Sequence, residues 1–443
     1  METKSSGTQP AMKNKGWLVT FAGTGSLLAM GVLYAWSVIS KQIPAEWGWT
    51  ELEKSLPYSV AVLVFALMMA VGGRLQDRFG PRIVVTIGGI LGGLGVIISS
   101  QTTSPLGYII GFGVLFGTGI GFAYAAATPA AVKWFPAKRT GLIAGIVLAG
   151  FGTASAYVAP MSNALIAAYG IQNSLLYMGI GMTSVVMILS QFIQTPPAGY
   201  VPAGSPVAAP GAAVQRIAFT PDQVVKTWQF YSLWLMFAFS AGAGLMVISK
   251  LATIVELQAG LKLGFVLVSV LALGNGGGRV IGGMLSDKYG RKPILLGSFI
   301  FQAVVIYLLS RASVNNVLGT TPALILISAL VGANYGSNLS VFPSISKDYY
   351  GLKHFGSNYG LVYTAWGLGG FMLSLFAGSV FDATRSFSFA YTLSVILLIV
   401  SAAMAAFLKA PALKAELVIK VEMPASSSAM THVEALMPVK TDE

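Results

Sequence analysis

The chain has no cysteine, only two histidines and few charged residues, which make up 9% of its 443 residues. Without cysteine it can have neither a disulfide framework nor a thiolate-bound metal. His354 and His432 lie in segments of loop or tail composition, unlike a metal site. Also missing are a Walker A motif, an H-E-x-x-H motif, a plausible G-x-S-x-G elbow and paired carboxylates within hydrophobic runs. The sequence therefore predicts no metal, no cofactor and no enzyme of these classes.

Apolar residues are what the chain has in abundance. They make up 55% of it, with 52 glycines and a mean hydropathy of +0.74, values typical of a polytopic membrane protein. Hydrophobic runs of roughly 18–27 residues predict twelve membrane-spanning helices. They are about Trp17–Ile43, Ser55–Gly72, Ile83–Ser99, Gly107–Val132, Gly141–Ala168, Ser174–Ile193, Trp228–Ser249, Gly264–Leu285, Pro293–Leu309, Pro322–Ile345, Tyr359–Phe381 and Phe389–Leu408.

The basic residues orient these spans. Most of the 27 Lys and Arg residues fall on one side of the predicted membrane, which the positive-inside rule makes the cytoplasm. Both termini are then cytoplasmic, and a bacterial-type inner membrane is the expected location. Because this bias explains the net charge of +12, we expect contacts with membrane lipids and no nucleic-acid partner.

The chain also repeats itself. Gly73–Arg82 follows the second predicted span and Gly283–Lys292 follows the eighth, the same place in each half. A weaker echo has Gly141-xxx-Gly145 opening span five and Gly356-xxx-Gly360 opening span eleven. Two six-helix bundles facing each other across a central cavity are therefore predicted. The predicted units are a cytoplasmic N-terminus (1–16), a first bundle (17–194), a cytoplasmic linker rich in Pro, Ala and Gly (195–226), a second bundle (227–409) and a disordered cytoplasmic tail (410–443).

The longer repeat has a physical rationale of its own. A carboxylate at the end of one helix can accept hydrogen bonds from the first backbone N–H groups of a neighbouring helix and complement its dipole. Basic neighbours can then form ion pairs or contact anionic lipid headgroups. We assign to gating and topology, and not to ligand contact, the residues Gly73, Asp77, Arg78, Gly80, Arg82, Asp287, Lys288, Gly290 and Arg291.

Arg279 is the one charged residue well inside a hydrophobic span, Val266–Leu285. It precedes Asp287 by about 12 Å of helix at ~1.5 Å per residue, which is near the middle of a ~30 Å hydrocarbon core. An isolated charge costs roughly 3 to more than 10 kcal/mol there. Its guanidinium matches a carboxylate in plane, as Lys cannot, and Asn275 shares its helical face. A buried anion site is predicted; snorkelling to the surface, or pairing with a structural carboxylate, is the alternative.

With these motifs the chain resembles the major facilitator superfamily over nearly its whole length. The resemblance rests on the G-x-L-x-D-R-x-G-P-R sequence of Gly73–Arg82, its second copy and the six-plus-six layout. Within the superfamily it is similar to the oxalate/formate antiporters and the monocarboxylate transporters. Arg279 and three further elements carry that similarity: Trp134-Phe-Pro136-Ala-Lys138-Arg139, Phe342-Pro343-Ser344 and Asn358-Tyr359-Gly360.

The resemblance implies which residues meet a substrate. Arg279 matches the arginine that binds substrate in the oxalate/formate antiporters, and Asn275 lies beside it. Matches to aromatic cavity positions make Tyr34, Tyr124, Tyr335 and Tyr363 candidates for the cavity wall, and Leu33 and Trp366 are assigned to the same wall. The alternative for these tyrosines is ordinary packing, because tyrosine is frequent at membrane interfaces.

Three departures from the family pattern bear on the substrate and on proton coupling, the second of them on proton coupling through that position. Trp366 stands where oxalate transporters have a lysine, Asn275 where monocarboxylate transporters have an aspartate, and Val38 where animal monocarboxylate transporters have a lysine. A dicarboxylate bound by Arg279 alone would leave a negative charge in a low-dielectric cavity, which costs several kcal/mol. One arginine therefore favours a single carboxylate.

The expected function is secondary active transport of small monocarboxylates such as lactate or pyruvate, coupled to protons, by a functional monomer. Exchange of the oxalate/formate type and a membrane receptor without transport remain alternatives, and uptake versus export stays open. Glu256 and Asp382, near the predicted outer ends of spans seven and eleven, are candidate proton sites. Exposed loop carboxylates are the plainer interpretation of both.

Overall fold

The computed structural model describes residues 14–197, 199–204, 214–261, 264–411 and 418–421, and almost all of them are helical. The α-helices are α1 (Gly16–Ala29), α2 (Trp36–Lys41), α3 (Glu51–Phe79), α4 (Pro81–Ser100), α5 (Pro105–Tyr108), α6 (Gly117–Val132), α7 (Thr140–Thr153), α8 (Ser155–Ser190), α9 (Pro221–Val224), α10 (Trp228–Ala259), α11 (Gly264–Tyr289), α12 (Arg291–Ser310), α13 (Thr321–Tyr350), α14 (Phe355–Thr384) and α15 (Ser388–Phe407). The predicted all-α membrane fold is confirmed.

Ten helical stretches among the described residues are long and apolar enough to cross a membrane. One of them, 137–190, is interrupted at Gly170, whose φ of 74° is not helical, between the predicted fifth and sixth spans. The first predicted span consists of α1, a 3₁₀ segment Gly31–Ala35 and α2. The count of twelve crossings and the side of the termini stay predictions.

The helix that contains the second predicted span is longer than the span, because α3 begins at Glu51 and ends at Phe79. At its start, Thr50 and Glu53 form a capping box that satisfies free backbone N–H groups. At its end, the polar residues of the repeated motif continue the helix beyond the hydrophobic run. Hydropathy locates the part of a helix inside the membrane and not the helix itself.

The two halves meet mainly along two helix pairs, α3 with α14 and α7 with α11. Glycines allow the close approach. A Cβ at Gly73 of α3 would collide with the carbonyl oxygen of Gly356 in α14, and a Cβ at Gly283 of α11 would collide with that of Gly141 in α7. Small residues serve this purpose in membrane proteins, where backbones must approach closely to pack. Each pair joins the second long helix of one half to the fifth of the other, so the internal repeat generates both contacts.

The outer surface carries large apolar side chains. Phe21, Ile83, Leu94 and Ile188 are each more than 40% exposed. An apolar surface this extensive is unsuited to water and suits lipid chains. Together with the glycine-lined interior, this arrangement describes a multi-pass membrane protein.

One small sheet lies outside the helices. Strand β1 (Val214–Ile217), in the predicted linker, pairs antiparallel with β2 (Val418–Val421), in the predicted tail. The tail was predicted to be disordered because of its mixed-charge composition; four of its residues form β2, and the disorder of the tail stays a prediction. The remainder of the tail beyond Pro411 lies outside the described residues.

The glycine contacts give a direct test of the α7–α11 packing. The Cβ of a Gly283→Val side chain would collide with the backbone of Gly141, whereas a Cβ at Gly277 on the same helix would meet no atom within 4 Å. Overpacking costs ~1–3 kcal/mol, so we expect Gly283→Val to lower the thermal unfolding midpoint in detergent by several degrees more than Gly277→Val does. Equal effects of the two variants would contradict the close approach of α7 and α11.

Candidate functional site

Arg279 lies in α11, where glycines bring three helices together. Gly274 and Gly278 back onto carbonyl groups of α13, and Gly276 faces Thr153 of α7. The glycine run in this span is therefore used for helix contact. The Arg279 side chain is 0% exposed, so it does not snorkel to the surface. No salt bridge joins it to any carboxylate within the described part of the chain.

The guanidinium of Arg279 donates hydrogen bonds in two directions. Its Nε donates to Asn275 Oδ1 (3.0 Å) within α11. Its Nη1 donates to the Tyr124 hydroxyl (3.2 Å) and to the carbonyl oxygen of Leu148 (2.6 Å). Tyr124 belongs to α6 and Leu148 to α7, so Arg279 of the second half is bonded to the first half at two points.

One side of the guanidinium is left without a partner. Nη2 of Arg279 is buried and has no hydrogen-bond partner among the described residues. Gly152 of α7 makes room for the group, because a Cβ added there would lie 2.8 Å from Nε. A buried cationic donor without a partner is costly. A carboxylate oxygen at Nη2 would satisfy it and neutralise the charge.

The predicted aromatic residues lie close to Arg279. The Tyr34 hydroxyl lies near both Arg279 and Tyr335. Tyr335 in turn accepts a 2.6 Å hydrogen bond from Trp366 Nε1. The Tyr363 ring packs 5.2 Å from the Tyr124 ring and 5.3 Å from the Trp366 ring. Leu33 is buried and precedes Tyr34 in the same 3₁₀ segment. Among the described residues no hydrogen bond joins it to Arg279.

Two phenylalanines complete this aromatic group and were missed from the sequence. Phe65 lies 5.3 Å from Tyr124 and 5.2 Å from Trp366, measured between ring centroids. Phe151 lies 4.9 Å from Tyr34. A lone Phe in a hydrophobic span is most often core, so the sequence carried no signal for either.

The centre of the molecule is packed. Tyr124, Tyr335, Tyr363 and Trp366 are each at most 1% exposed. An open central cavity was expected, but in this structure the rings fill the space around Arg279. A ligand at Nη2 therefore requires these side chains to move apart.

The two candidate proton sites are on other helices than Arg279: Glu256 is in α10 and Asp382 is in α14. Glu256 is exposed, near the C-terminal end of α10, and forms no salt bridge with the guanidinium in the part of the chain that the structure describes. Asp382 is two residues from the end of α14, and its side chain lies outside the described residues. The role of either carboxylate in proton transfer stays a prediction.

At the side where α3 and α11 end, here called the motif side, Asp77 joins the two halves. Its Oδ2 accepts from the Ser357 backbone N–H (2.9 Å) and from the Ser357 hydroxyl (2.8 Å) in the first turn of α14. Its Oδ1 is buried without a hydrogen-bond partner among the described residues. This Asp77–Ser357 pair is the first motif contact.

Asp287 makes the second motif contact, with the first turn of α7. Its two oxygens accept from the backbone N–H groups of Gly141 and Leu142, at 2.8 Å each. Arg291 also forms an ion pair with Asp287, and its Nε donates to Asp348 (2.9 Å). Both contacts have the geometry expected of a carboxylate at a helix N-terminus. Among the described residues, an ion pair is part of the second contact and not of the first.

The remaining motif residues divide into two groups. Gly80 and Gly290, between α3 and α4 and between α11 and α12, have φ of 84° and 94°, which other residues adopt only with strain. Arg78 and Lys288 lie over the rings of their neighbours Phe79 and Tyr289. Arg82 is exposed and, within the described ranges, forms no salt bridge.

The first half has no arginine at the position of Arg291, because Pro81 follows Gly80 there. Lys133 is a cation near Asp77. Burial lowers the pKa of Lys133, and the charge of Asp77 acts in the opposite direction and raises it.

Comparisons with known proteins agree with this architecture. The family model of the Major Facilitator Superfamily matches residues 19–282 and 253–430. The chain is 27% identical over 356 residues to the oxalate:formate antiporter of Oxalobacter formigenes, covering 80% of this chain and 81% of that protein. It is 26% identical over 394 residues to monocarboxylate transporter 11 of Homo sapiens, covering 86% and 80%. The crystal structure of the transporter FucP in the outward conformation matches with a TM-score of 0.66 at 13% identity, covering 88% of this chain and 98% of that one.

The two motif contacts should respond differently to loss of charge. Asp77→Asn keeps an oxygen for Ser357. In Asp287→Asn one oxygen is replaced by an amide NH₂ group that cannot accept from Gly141 or Leu142, and the ion pair between Arg291 and residue 287 is lost. We expect roughly threefold and more than tenfold increases, respectively, in opening at the motif side.

The measurement uses Thr128→Cys labelled by a maleimide, in a chain without native cysteine. Thr128 is wholly buried, one helical turn beyond Tyr124 towards the motif side, so its labelling rate reports opening there. An equal or larger effect of Asp77→Asn would contradict the difference between the contacts.

Proposed function

The chain belongs to the major facilitator superfamily and is a multi-pass membrane transporter, and we propose that its substrate is a small monocarboxylate of the lactate or pyruvate kind. The observation that carries this proposal is the buried Arg279 guanidinium, which has an unbonded Nη2 and forms no salt bridge in the described part of the chain. Its charge calls for one anionic partner that enters and leaves.

The charge balance supports a single carboxylate. One carboxylate at Nη2 would neutralise Arg279, while a dicarboxylate would leave one negative charge in the buried site, at several kcal/mol. Trp366, which carries no charge, occupies the position of the lysine expected by resemblance to oxalate transporters. Trp366 is instead bonded to Tyr335.

The aromatic residues would set the size and polarity of the substrate. The hydroxyls of Tyr34 and Tyr124 lie beside the guanidinium and could bond the second carboxylate oxygen or a 2-hydroxyl group. The rings of Tyr363 and Phe65 offer apolar surface to a short carbon chain. A small organic acid satisfies both requirements.

Binding at Arg279 can be linked to movement of the two halves. Nη1 already joins α11 to the Leu148 carbonyl and to Tyr124 of the first half. A bound carboxylate would compete for these donors and part the rings that now pack together. Substrate would thus be exposed to one side or the other as the motif contacts form or break, which is alternating access.

Proton coupling is the mode we propose, with exchange of organic anions as the second candidate. Asn275 accepts from Arg279 at the place where an aspartate would carry a proton, so the proton would travel on the substrate acid or on a distant group such as Glu256 or Asp382. The favouring observation for exchange is the 27% identity to an oxalate:formate antiporter.

Arg279→Lys tests the binding site. Because an ammonium cannot reproduce the planar paired donors of a guanidinium, we expect lactate uptake into proteoliposomes to fall by roughly 100-fold or more. The control is Arg311→Lys, at an exposed arginine that lies over the Tyr307 ring; it should retain uptake within about twofold. Undiminished lactate flux in a folded Arg279→Lys protein would rule out the site.

Substrate competition tests the charge balance. Labelled lactate uptake should be inhibited by unlabelled pyruvate and only poorly by oxalate, and an imposed inward proton gradient should stimulate it. Trp366→Lys should raise the oxalate-to-lactate preference by about tenfold, since a second cation would neutralise the second carboxylate. Strong oxalate–formate exchange by the unsubstituted protein, indifferent to the proton gradient, would replace the proposal with the second candidate.

A further inference from the structure

The linker between the two halves is bound to the motif side of the second bundle. Phe219 is 3% exposed, and its ring packs 5.5 Å from that of Tyr350 at the end of α13. Its backbone N–H donates to the Tyr350 carbonyl (3.0 Å), and Ala218 forms a β-bridge with Gly351. The helical turn α9 follows at once, capped by Thr220 and Gln223. This segment therefore has a defined docking place.

The same segment reaches the first turn of α14. The Asn358 side chain, 0% exposed, donates from Nδ2 to the Phe219 carbonyl oxygen (3.0 Å). Asn358 directly follows Ser357, whose two hydrogen bonds to Asp77 form the first motif contact. A bond from the linker thus ends one residue away from the contact between the halves.

No side chain caps the start of α14. His354 precedes the helix with no side-chain cap, whereas Thr50 and Thr227 cap α3 and α10. Both bonds of the first motif contact come from one residue, so a small shift of this turn would remove both. In the second motif contact, Asp287 is bonded by the backbone N–H groups of two residues and also by Arg291.

The internal repeat indicates that this arrangement is particular to the second half. Aligning Gly141 with Gly356 and Gly145 with Gly360 places Asn358 opposite Ile143. Ile143 is buried and apolar and can make no such bond. The repeat therefore does not account for the polar side chain of Asn358, whereas its hydrogen bond to the linker does.

We propose that the linker forms part of the motif-side gate. The Phe219 carbonyl holds Asn358, and Asn358, as a positioning residue, orients the first turn of α14 so that Ser357 meets Asp77. Tyr200, earlier in the linker, packs 5.1 Å from Trp134 of the first bundle, so the linker is fastened to both halves. Release of Phe219 weakens the first motif contact and favours opening at the motif side.

The experiment measures maleimide labelling of Thr128→Cys in the purified full-length protein. Adding Asn358→Ala should raise the labelling rate about fivefold, the effect of one buried hydrogen bond. Phe219→Ala, which leaves α14 unaltered, should raise it in the same direction and serves if Asn358→Ala fails to fold. Asn173→Ala is the control, because the exposed Asn173 amide donates to the Tyr169 carbonyl across the Gly170 interruption of α8 and takes part in neither motif contact, and it should leave the rate unchanged.

The pathway through Asp77 is tested in a second background. With Asp77→Ala present, the first motif contact is already lost, so Asn358→Ala should add nothing to the labelling rate. A fivefold increase in labelling rate on adding Asn358→Ala to Asp77→Ala would overturn the proposal. So would an unchanged labelling rate when Asn358→Ala or Phe219→Ala is introduced into the protein that keeps Asp77. Labelling needs no substrate, so the result is independent of the proposed monocarboxylate transport.

Discussion

A buried guanidinium without a carboxylate partner among the described residues is the constraint on which the rest of the structure depends. Arg279 joins three helices from the two halves. It donates hydrogen bonds to Asn275 of its own helix, to Tyr124 of α6 and to the Leu148 carbonyl of α7. Glycines on α7, α11 and α13 allow the approach. The halves are thus held together at the centre by the group that would bind substrate.

The internal repeat produces two contacts of the same geometry and unequal strength. In each, a carboxylate at the end of one helix meets the first turn of a helix from the other half. The second adds Arg291 and Asp348, while the first leaves one oxygen of Asp77 unbonded among the described residues and lies beside the docked linker. The repeat supplies the carboxylate at the helix end, and the residues that differ between the two copies set which further bonds each contact has.

The sequence predicted the fold class and the family because both depend on patterns repeated along the chain. Hydrophobic runs, the repeated motif and the isolated Arg279 each carry a signal visible without coordinates. The acceptor role of Asp77 and Asp287 also followed, since helix ends offer few other partners. These are properties of local sequence and general chemistry.

Other features of the site could not be predicted, for identifiable reasons. The Leu148 carbonyl is a backbone group, and any residue could supply it. Phe65 and Phe151 look like ordinary core residues, and the packed centre depends on the conformation that the chain adopts. Phe219 lies in a segment of linker composition, and its docking through Asn358 joins residues that no periodicity relates.

Gly152 has a consequence for how this chain can change. Its missing side chain leaves the space that the Arg279 guanidinium fills, with Nε only 2.8 Å from where a Cβ would lie. An alanine there would displace the guanidinium from the Leu148 carbonyl, and a shorter side chain at position 279 would leave a void beside the glycine. The two positions, on helices from different halves, are therefore expected to vary together among related proteins or not at all.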